Sequence, residues 1–357
     1  MQHKKNLIKN IADFLNPYGW IVKARNRAFD RGWFKSHSFD IPVICIGNIS
    51  VGGTGKTPHT EYLIKLLKER ERVAVLSRGY GRKSKGFIKA DDNTPMSLIG
   101  DEPYQIKCKF PEITVAVCEK RVIGTQRLLD TNNSPSVILL DDAYQHRYIK
   151  AGLYILLIDI NRPIWNDCLL PFGRLRESDK AAKRADIIII TKCNENISQE
   201  IAEYCKANLK TKENTPVFFS KVKYGIHYSI FDNKKNTPII RKGLNVLLLT
   251  GIAKPEPLKK EIEKRGAKVT LMQYADHYNF TEGDIHNISK TFDKIKGEKI
   301  IITTEKDATR LRGIATLPQN IKENIYALPI EIEILDDQQE TFNQIILDYV
   351  TENTRNS

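Results

Sequence analysis

No stretch of the 357 residues approaches the ~18–20 uninterrupted apolar side chains of a bilayer-spanning helix, so the chain is not expected to cross a membrane. The N-terminus lacks the apolar core and small-residue cleavage site of an export signal, which makes the cytosol the expected compartment. Cysteine is sparse, with six residues at 45, 108, 118, 168, 193 and 205 and no CxxC pair. Such cysteines read as small buried side chains in a reducing compartment, not as a disulfide framework or a zinc site. Internal repeats and low-complexity tracts are absent as well. A hydrophobic share of 41% against 28% charged residues excludes a disordered or collagen-like chain. The length provides for about two domains.

Acidic residues are outnumbered, 43 against 56 Lys and Arg, leaving a net charge of +13. Residues 1–39 hold eight of those cations (Lys4, Lys5, Lys9, Lys23, Arg25, Arg27, Arg31, Lys35) and only Asp13 and Asp30. Leu7, Ile8, Ile11 and Leu15 follow helical spacing, and Pro17 separates them from a second helix near 18–35 that carries Trp20, Phe29, Trp33 and Phe34. A basic amphipathic helix with aromatic residues suits an anionic membrane surface. It equally suits a helix packed on a domain core with a solvated basic rim, and charge does not choose between the two. No nucleic-acid motif accompanies the charge, so no nucleic-acid partner is expected.

From residue 41 onward, continuous apolar runs alternate with helical stretches. Strands are expected at Val43–Ile46, Val73–Leu76, Ile113–Val117, Val137–Leu140, Ile155–Ile158 and Ile187–Thr191. Such runs separated by helices predict a parallel sheet covered on both faces. Residues 216–243 read as a strand-rich linker. A second α/β unit follows, with strands near 245–251, 267–273, 299–304 and 325–329. The predicted division is 1–39, 40–215, 216–243 and 244–357.

The most specific motif is Ser50-Val51-Gly52-Gly53-Thr54-Gly55-Lys56-Thr57, between a strand and a helix. A loop of this kind surrounds phosphates with backbone N–H groups, reaches the terminal ones with Lys56, and offers the Thr57 hydroxyl to magnesium. Ser50 stands where glycine is usual. Asp141-Asp142 ends a buried strand, the place where nucleotide enzymes hold magnesium, and Gln145 and His146 follow. Thr191-Lys192-Cys193-Asn194 resembles a guanine-reading TKxD segment. The amide of Asn194, however, brings donors where guanine needs acceptors, which counts against GTP. Arg78-Gly79-Tyr80-Gly81-Arg82 flanks mobile glycines with cations, a phosphate-friendly turn or a plain surface one. Asp101, in Gly100-Asp101-Glu102-Pro103, also fits a helix start.

Taken together, SVGGTGKTP at 50–58, RGYGR at 78–82, GDEP at 100–103, Arg121, DDAYQH at 141–146, LPFGRLRE at 170–177, GIAKP at 251–255, Asp276-His277 and TEKDATRL at 304–311 resemble the tetraacyldisaccharide 4′-kinase family. The departures are Ala143 for a glycine, Arg174 for a proline, and Tyr278 for a second histidine. The resemblance implies a P-loop NTPase-like, mostly parallel sheet between helices, with a second smaller α/β domain. It implies ATP-dependent phosphorylation of the 4′-hydroxyl of a lipid A disaccharide precursor, with magnesium, on the cytosolic face of a Gram-negative inner membrane. Asp101 would be the base, supported by His277. Lys56, Arg121 and Arg176 would stabilise phosphate charge, and Thr57, Asp141 and Glu177 would serve magnesium. Arg78, Tyr80, Asp142, Gln145 and His146 fall to the substrate. No obligate protein partner is implied. The rival is a GTPase or ATPase switch of the metallochaperone type acting on a protein partner.

Overall fold

The computed structural model describes residues 16–195, 197–232, 237–276, 278–314 and 316–354. The chain forms two compact units, one running to Val222 and resuming at Ile332, the other covering Lys223–Glu331.

In the first unit the expected apolar runs are strands: β1 Val43–Gly47, β2 Val73–Ser77, β3 Ile88–Lys89, β4 Thr114–Val117, β5 Val137–Asp141, β6 Leu153–Asp159, β7 Ile187–Thr191 and β8 Val217–Tyr224. Every residue of β1, β2, β5 and β7 is buried, as the absence of alternation in their sequences requires. With a later strand, β14 Ile330–Ile334, they form one sheet in the order β14-β8-β7-β6-β1-β5-β2-β4-β3. Pairing from β8 through to β4 is parallel, and the short β3 runs antiparallel to β4.

β1 is the pivot of this order. Ile44 pairs with Leu139 of β5 on one side and Leu153 of β6 on the other. The chain leaves the carboxyl end of β1 through residues 48–55 into the helix Lys56–Leu67, then reaches β2 on the far side of β5. Ligands in open parallel sheets bind outside the strand ends where the order reverses in this way.

The second unit contains β9 Tyr228–Ser229, β10 Asn245–Thr250, β11 Lys268–Gln273, β12 Lys299–Thr304 and β13 Ile325–Leu328, in the order β11-β10-β12-β13-β9. All pairs are parallel except β13 with β9. The segment expected as a strand-rich linker is therefore divided, with β8 in the first sheet and β9 in the second.

The C-terminal boundary differs from the sequence expectation, which left 244–357 together. The helix Gln339–Thr354 packs into the first unit's core, where Phe342, Ile346 and Val350 join Ile44, Ile155 and Phe218. Tyr349 Oη donates to the carbonyl of Val43 at 3.1 Å. A Cβ on Gly152 would lie 2.1 Å from that hydroxyl, so only glycine fits there.

The helix near 18–35 runs Pro17–Asp30, with Asn16 Oδ1 capping the Gly19 N–H at 3.0 Å and Pro17 in its first turn. Phe29 is buried against Phe34 and Tyr148, with ring centroids at 5.3 and 4.9 Å. Trp20, Ile21 and Trp33 are exposed by 53%, 70% and 69%. One side of the helix is thus anchored and the other leaves large apolar groups in solvent. The amphipathic stretch expected at 7–15 lies outside the described residues.

Candidate active site

The glycine-rich loop bends through Gly52 at φ 104° and Gly55 at φ 89°, conformations that side chains resist. Gly55 opens the helix Lys56–Leu67 with no side-chain cap, so the first-turn N–H groups remain available to an anion. Asn48 Nδ2 donates to Thr54 Oγ1 at 2.9 Å inside the loop. The LPFGRLRE segment runs beside it: Ser50 bridges Leu175, the Val51 N–H donates to the Arg174 carbonyl at 2.8 Å, and the Arg176 N–H donates to the Ile49 carbonyl at 2.7 Å. Arg174 contributes its backbone here, so the family's proline, whose carbonyl is equally able to accept, is replaced without loss of this contact.

These strand-like contacts carry the Arg176 side chain to the DDAYQH loop. Arg176 Nη1 lies 3.3 and 3.4 Å from the two Asp142 oxygens and 3.5 Å from Gln145 Oε1. Lys56 Nζ reaches the same Asp142 at 3.6 Å. Asp142 has φ 47°, a left-handed backbone that aspartate tolerates better than most residues and that recurs at functional turns. Gln145 Nε2 donates to the Asn48 carbonyl at 2.7 Å, closing the ring of contacts onto the glycine-rich loop.

Asp141 is buried and accepts from Thr60 Oγ1 at 3.1 Å. Burial and the neighbouring carboxylates of Glu102 and Asp142 push its pKa up to about 7, against the pull of Lys56. Carboxylate oxygens such as those of Asp141 and Asp142 are hard donors of the kind magnesium takes. Among the described residues no three His, Cys, Asp or Glu side chains converge as a cage. Magnesium commonly completes its shell with water and phosphate oxygens, so a partial set fits.

Arg121 begins the helix Arg121–Leu129 and is buried, with Nη1 donating to the Cys118 carbonyl at 2.8 Å. Its Nε and Nη2 are buried without hydrogen-bond partners. Burial lowers its pKa to about 10 despite the opposing charges of Asp141 and Asp142. It remains a cation at neutral pH with donors to spare. Burial and the charges of Arg121, Arg78 and Arg25 depress His146 to about 4, so His146 is neutral among three arginines. Arg78 and Tyr80 are exposed, Tyr80 by 82%.

Asp101 is the first residue of the helix Asp101–Lys109, after Gly100 at φ 90°, and is half-buried. Glu177 is buried, and its Oε1 has no hydrogen-bond partner. Its Oε2 accepts from Arg184 Nη1 and Asn26 Nδ2, both at 2.8 Å, and Arg25 stands 3.9 Å from Oε1. It ties the Pro17–Asp30 helix to the LPFGRLRE loop. In the second unit two further motifs meet, the Gly251 N–H donating to Asp307 Oδ2 at 3.0 Å. A Cβ on Gly251 would come within 3.1 Å of the Ala275 carbonyl, so the turn bearing Asp276 rests on this glycine. His277 lies outside the described residues.

Sequence reasoning missed Glu102 as a neighbour of Asp141. Its signal was its place beside Asp101 in GDEP, a position that reads as a helix start.

Residues 12–351 match the model of the tetraacyldisaccharide-1-P 4′-kinase family. The chain belongs to that family. It is 47% identical over 99% of its length to a tetraacyldisaccharide 4′-kinase of Bacteroides fragilis, covering 96% of that protein. It is 48% identical over 95% of its length to the same-named protein of Bacteroides thetaiotaomicron, covering 92% of it. Among solved structures, it resembles LpxK from Aquifex aeolicus in an "apo" form in complex with ATP, at 31% identity and a TM-score of 0.75. That likeness covers 96% of this chain and 99% of the other. The large, mostly parallel sheet with its glycine-rich loop is therefore the fold of a 4′-kinase of this family. Among the described residues no helix is long and apolar enough to cross a membrane.

Proposed function

We propose that the chain transfers the γ-phosphate of ATP to the 4′-hydroxyl of a tetraacyldisaccharide 1-phosphate, the step that gives lipid IV-A in lipid A biosynthesis. The observation that carries this reading is the meeting of Lys56, at the mouth of the glycine-rich loop, with Asp142 and Arg176. Phosphoryl transfer asks little covalent chemistry of a protein; it needs aligned reactants and cations where charge accumulates. Lys56 and Arg176 now share one carboxylate and would turn to the phosphates when ATP supplies more negative charge. Arg121 adds buried, unpaired donors. Thr57 and Asp141 would hold magnesium, which when bound neutralises the terminal phosphates. Glu177 would join them through Oε1, which has no hydrogen-bond partner, while Oε2 keeps Arg184 and Asn26.

Asp101 is proposed as the base that accepts the sugar hydroxyl proton, with His277 as its orienting partner. Arg78, Tyr80, Gln145 and the neutral His146 are proposed to receive the acceptor, whose own phosphate suits the arginines around His146. The exposed Trp20, Ile21 and Trp33, with the basic residues between them, support docking on an anionic inner-membrane surface, where an acyl-chain substrate resides. No observation favours the switch-NTPase rival. The test is Lys56→Ala, for which transfer should fall ~10³-fold or more with the fold intact. Near-normal turnover of this variant would remove the glycine-rich loop from the reaction.

A further inference from the structure

The Thr191-Lys192-Cys193-Asn194 segment looks like a base-reading motif yet lacks the carboxylate that reading guanine requires. Its first two side chains turn instead to the glycine-rich loop. Lys192 sits at φ 61° directly after β7, and its ammonium donates to the carbonyl of Gly53 while pairing with Asp159 Oδ2 at 2.7 Å. Thr191 Oγ1 donates to the next carbonyl, that of Thr54, at 3.0 Å. The third carbonyl, that of Gly55, meets His59 Nδ1 at 2.7 Å.

A carbonyl can only accept, so His59 Nδ1 carries the hydrogen. Burial lowers the His59 pKa to about 4, leaving Nε2 bare to accept from the Ser220 hydroxyl at 3.0 Å. Ser220 on β8 thereby fixes both the tautomer and the ring.

Three successive carbonyls are thus held from outside the loop. In a trans peptide the C=O and the following N–H point in opposite directions. Holding the carbonyls of Gly53, Thr54 and Gly55 therefore aims the N–H groups of Thr54, Gly55 and Lys56 away from the brace. A loop with glycines at 52, 53 and 55 has no stiffness of its own, so something must suppress its alternatives.

Resting on the kinase reading above, we propose that Thr191, Lys192 and His59 are positioning residues that hold the phosphate-binding N–H groups in their receiving orientation, and that the segment after β7 braces this loop instead of reading a base. The account explains why lysine is present without the carboxylate: the ammonium serves the loop, and Asp159 orients the ammonium.

The experiment measures binding of ATP, ADP and adenosine to the full chain and to Lys192→Met, which keeps an unbranched stem without the charge. ATP and ADP should weaken about tenfold or more, the scale of one lost charged hydrogen bond, while adenosine is unchanged. Equal weakening of adenosine, or a shift in ATP-over-GTP preference with phosphate binding intact, would make Lys192 a base reader and overturn the proposal. Unchanged ATP binding would overturn it as well. Should Lys192→Met fail to fold, His59→Gln, which can still donate to Gly55, should retain more ATP affinity than His59→Leu, again with adenosine unaffected. Equal affinities in those two variants would contradict the brace. Failure of the parent chain to bind ATP would instead defeat the kinase reading on which the proposal stands.

Discussion

Asp142 shows at single-residue scale how the charges beside the glycine-rich loop are arranged. Its left-handed turn after β5 places one carboxylate between Lys56 and Arg176, two cations separated by 120 positions in the chain. The proposed Asp101–His277 partnership is testable at this scale too. If the two act as a unit, the double alanine variant should lose little more turnover than the worse single variant. Strictly multiplicative losses would show independent roles. The glycine-rich loop and the paired aspartates were legible because each is a local pattern, a few adjacent residues with a fixed mechanical purpose. Glu102 beside Asp141 and His59 beneath Gly55 were not, because their roles depend on which elements the fold stacks together. Glu177 was assigned by resemblance to magnesium; the contacts of its Oε2 with Arg184 and Asn26, which leave Oε1 without a hydrogen bond, are set only by three-dimensional packing.

The buried strands could be read almost residue by residue, since fully covered parallel strands must be continuous apolar runs and helices must separate them. The return of the final helix to the first sheet could not. Phe342, Ile346 and Val350 give an amphipathic pattern that says the helix packs somewhere, and only Tyr349 against Gly152 and Val43 says where. The Pro17–Asp30 helix offered two readings, and the structure gives it features of both. Phe29 and Asn26 anchor it while Trp20 and Ile21, and Trp33 in the turn that follows, stay exposed. Its membrane role is tested by changing Lys23, Arg27 and Arg31 to Gln, three exposed cations, and leaving Arg25, which reaches the Gln145 carbonyl at 3.3 Å. Each cation near an anionic leaflet contributes about 1 kcal/mol, so the variant should bind anionic vesicles measurably less, as the parent does in high salt. Activity on vesicle-embedded substrate should fall more than activity on detergent-dispersed substrate. Unchanged vesicle binding together with a lowered Tm would assign the helix to the core alone.

Across the whole molecule, the buried His59 and His227 and the half-buried His146 set a common acid sensitivity. Burial lowers His59 and His146 to about 4 and also lowers His227. Each is protonated more readily in the unfolded chain, near 6.5, so the stability they contribute is present above that pH and is lost as pH falls toward the folded values. Asp141 has the opposite sign: raised to about 7, it favours folding as pH falls toward its unfolded value. Without magnesium, Tm should therefore decline between pH 6.5 and 4.5, and Asp141→Asn should steepen the decline. A Tm that rises over that interval would contradict the assignment of neutral histidines. The net charge of +13 and the arginines around His146 fit a molecule whose donor and acceptor both carry phosphate. The most direct measurement is product analysis after incubating the purified chain with magnesium, γ-labelled ATP and tetraacyldisaccharide 1-phosphate. The account predicts one labelled product, a bisphosphorylated disaccharide with the new phosphate at the 4′ position, formed in step with ADP. Label released only as inorganic phosphate, with the disaccharide unchanged, would contradict it.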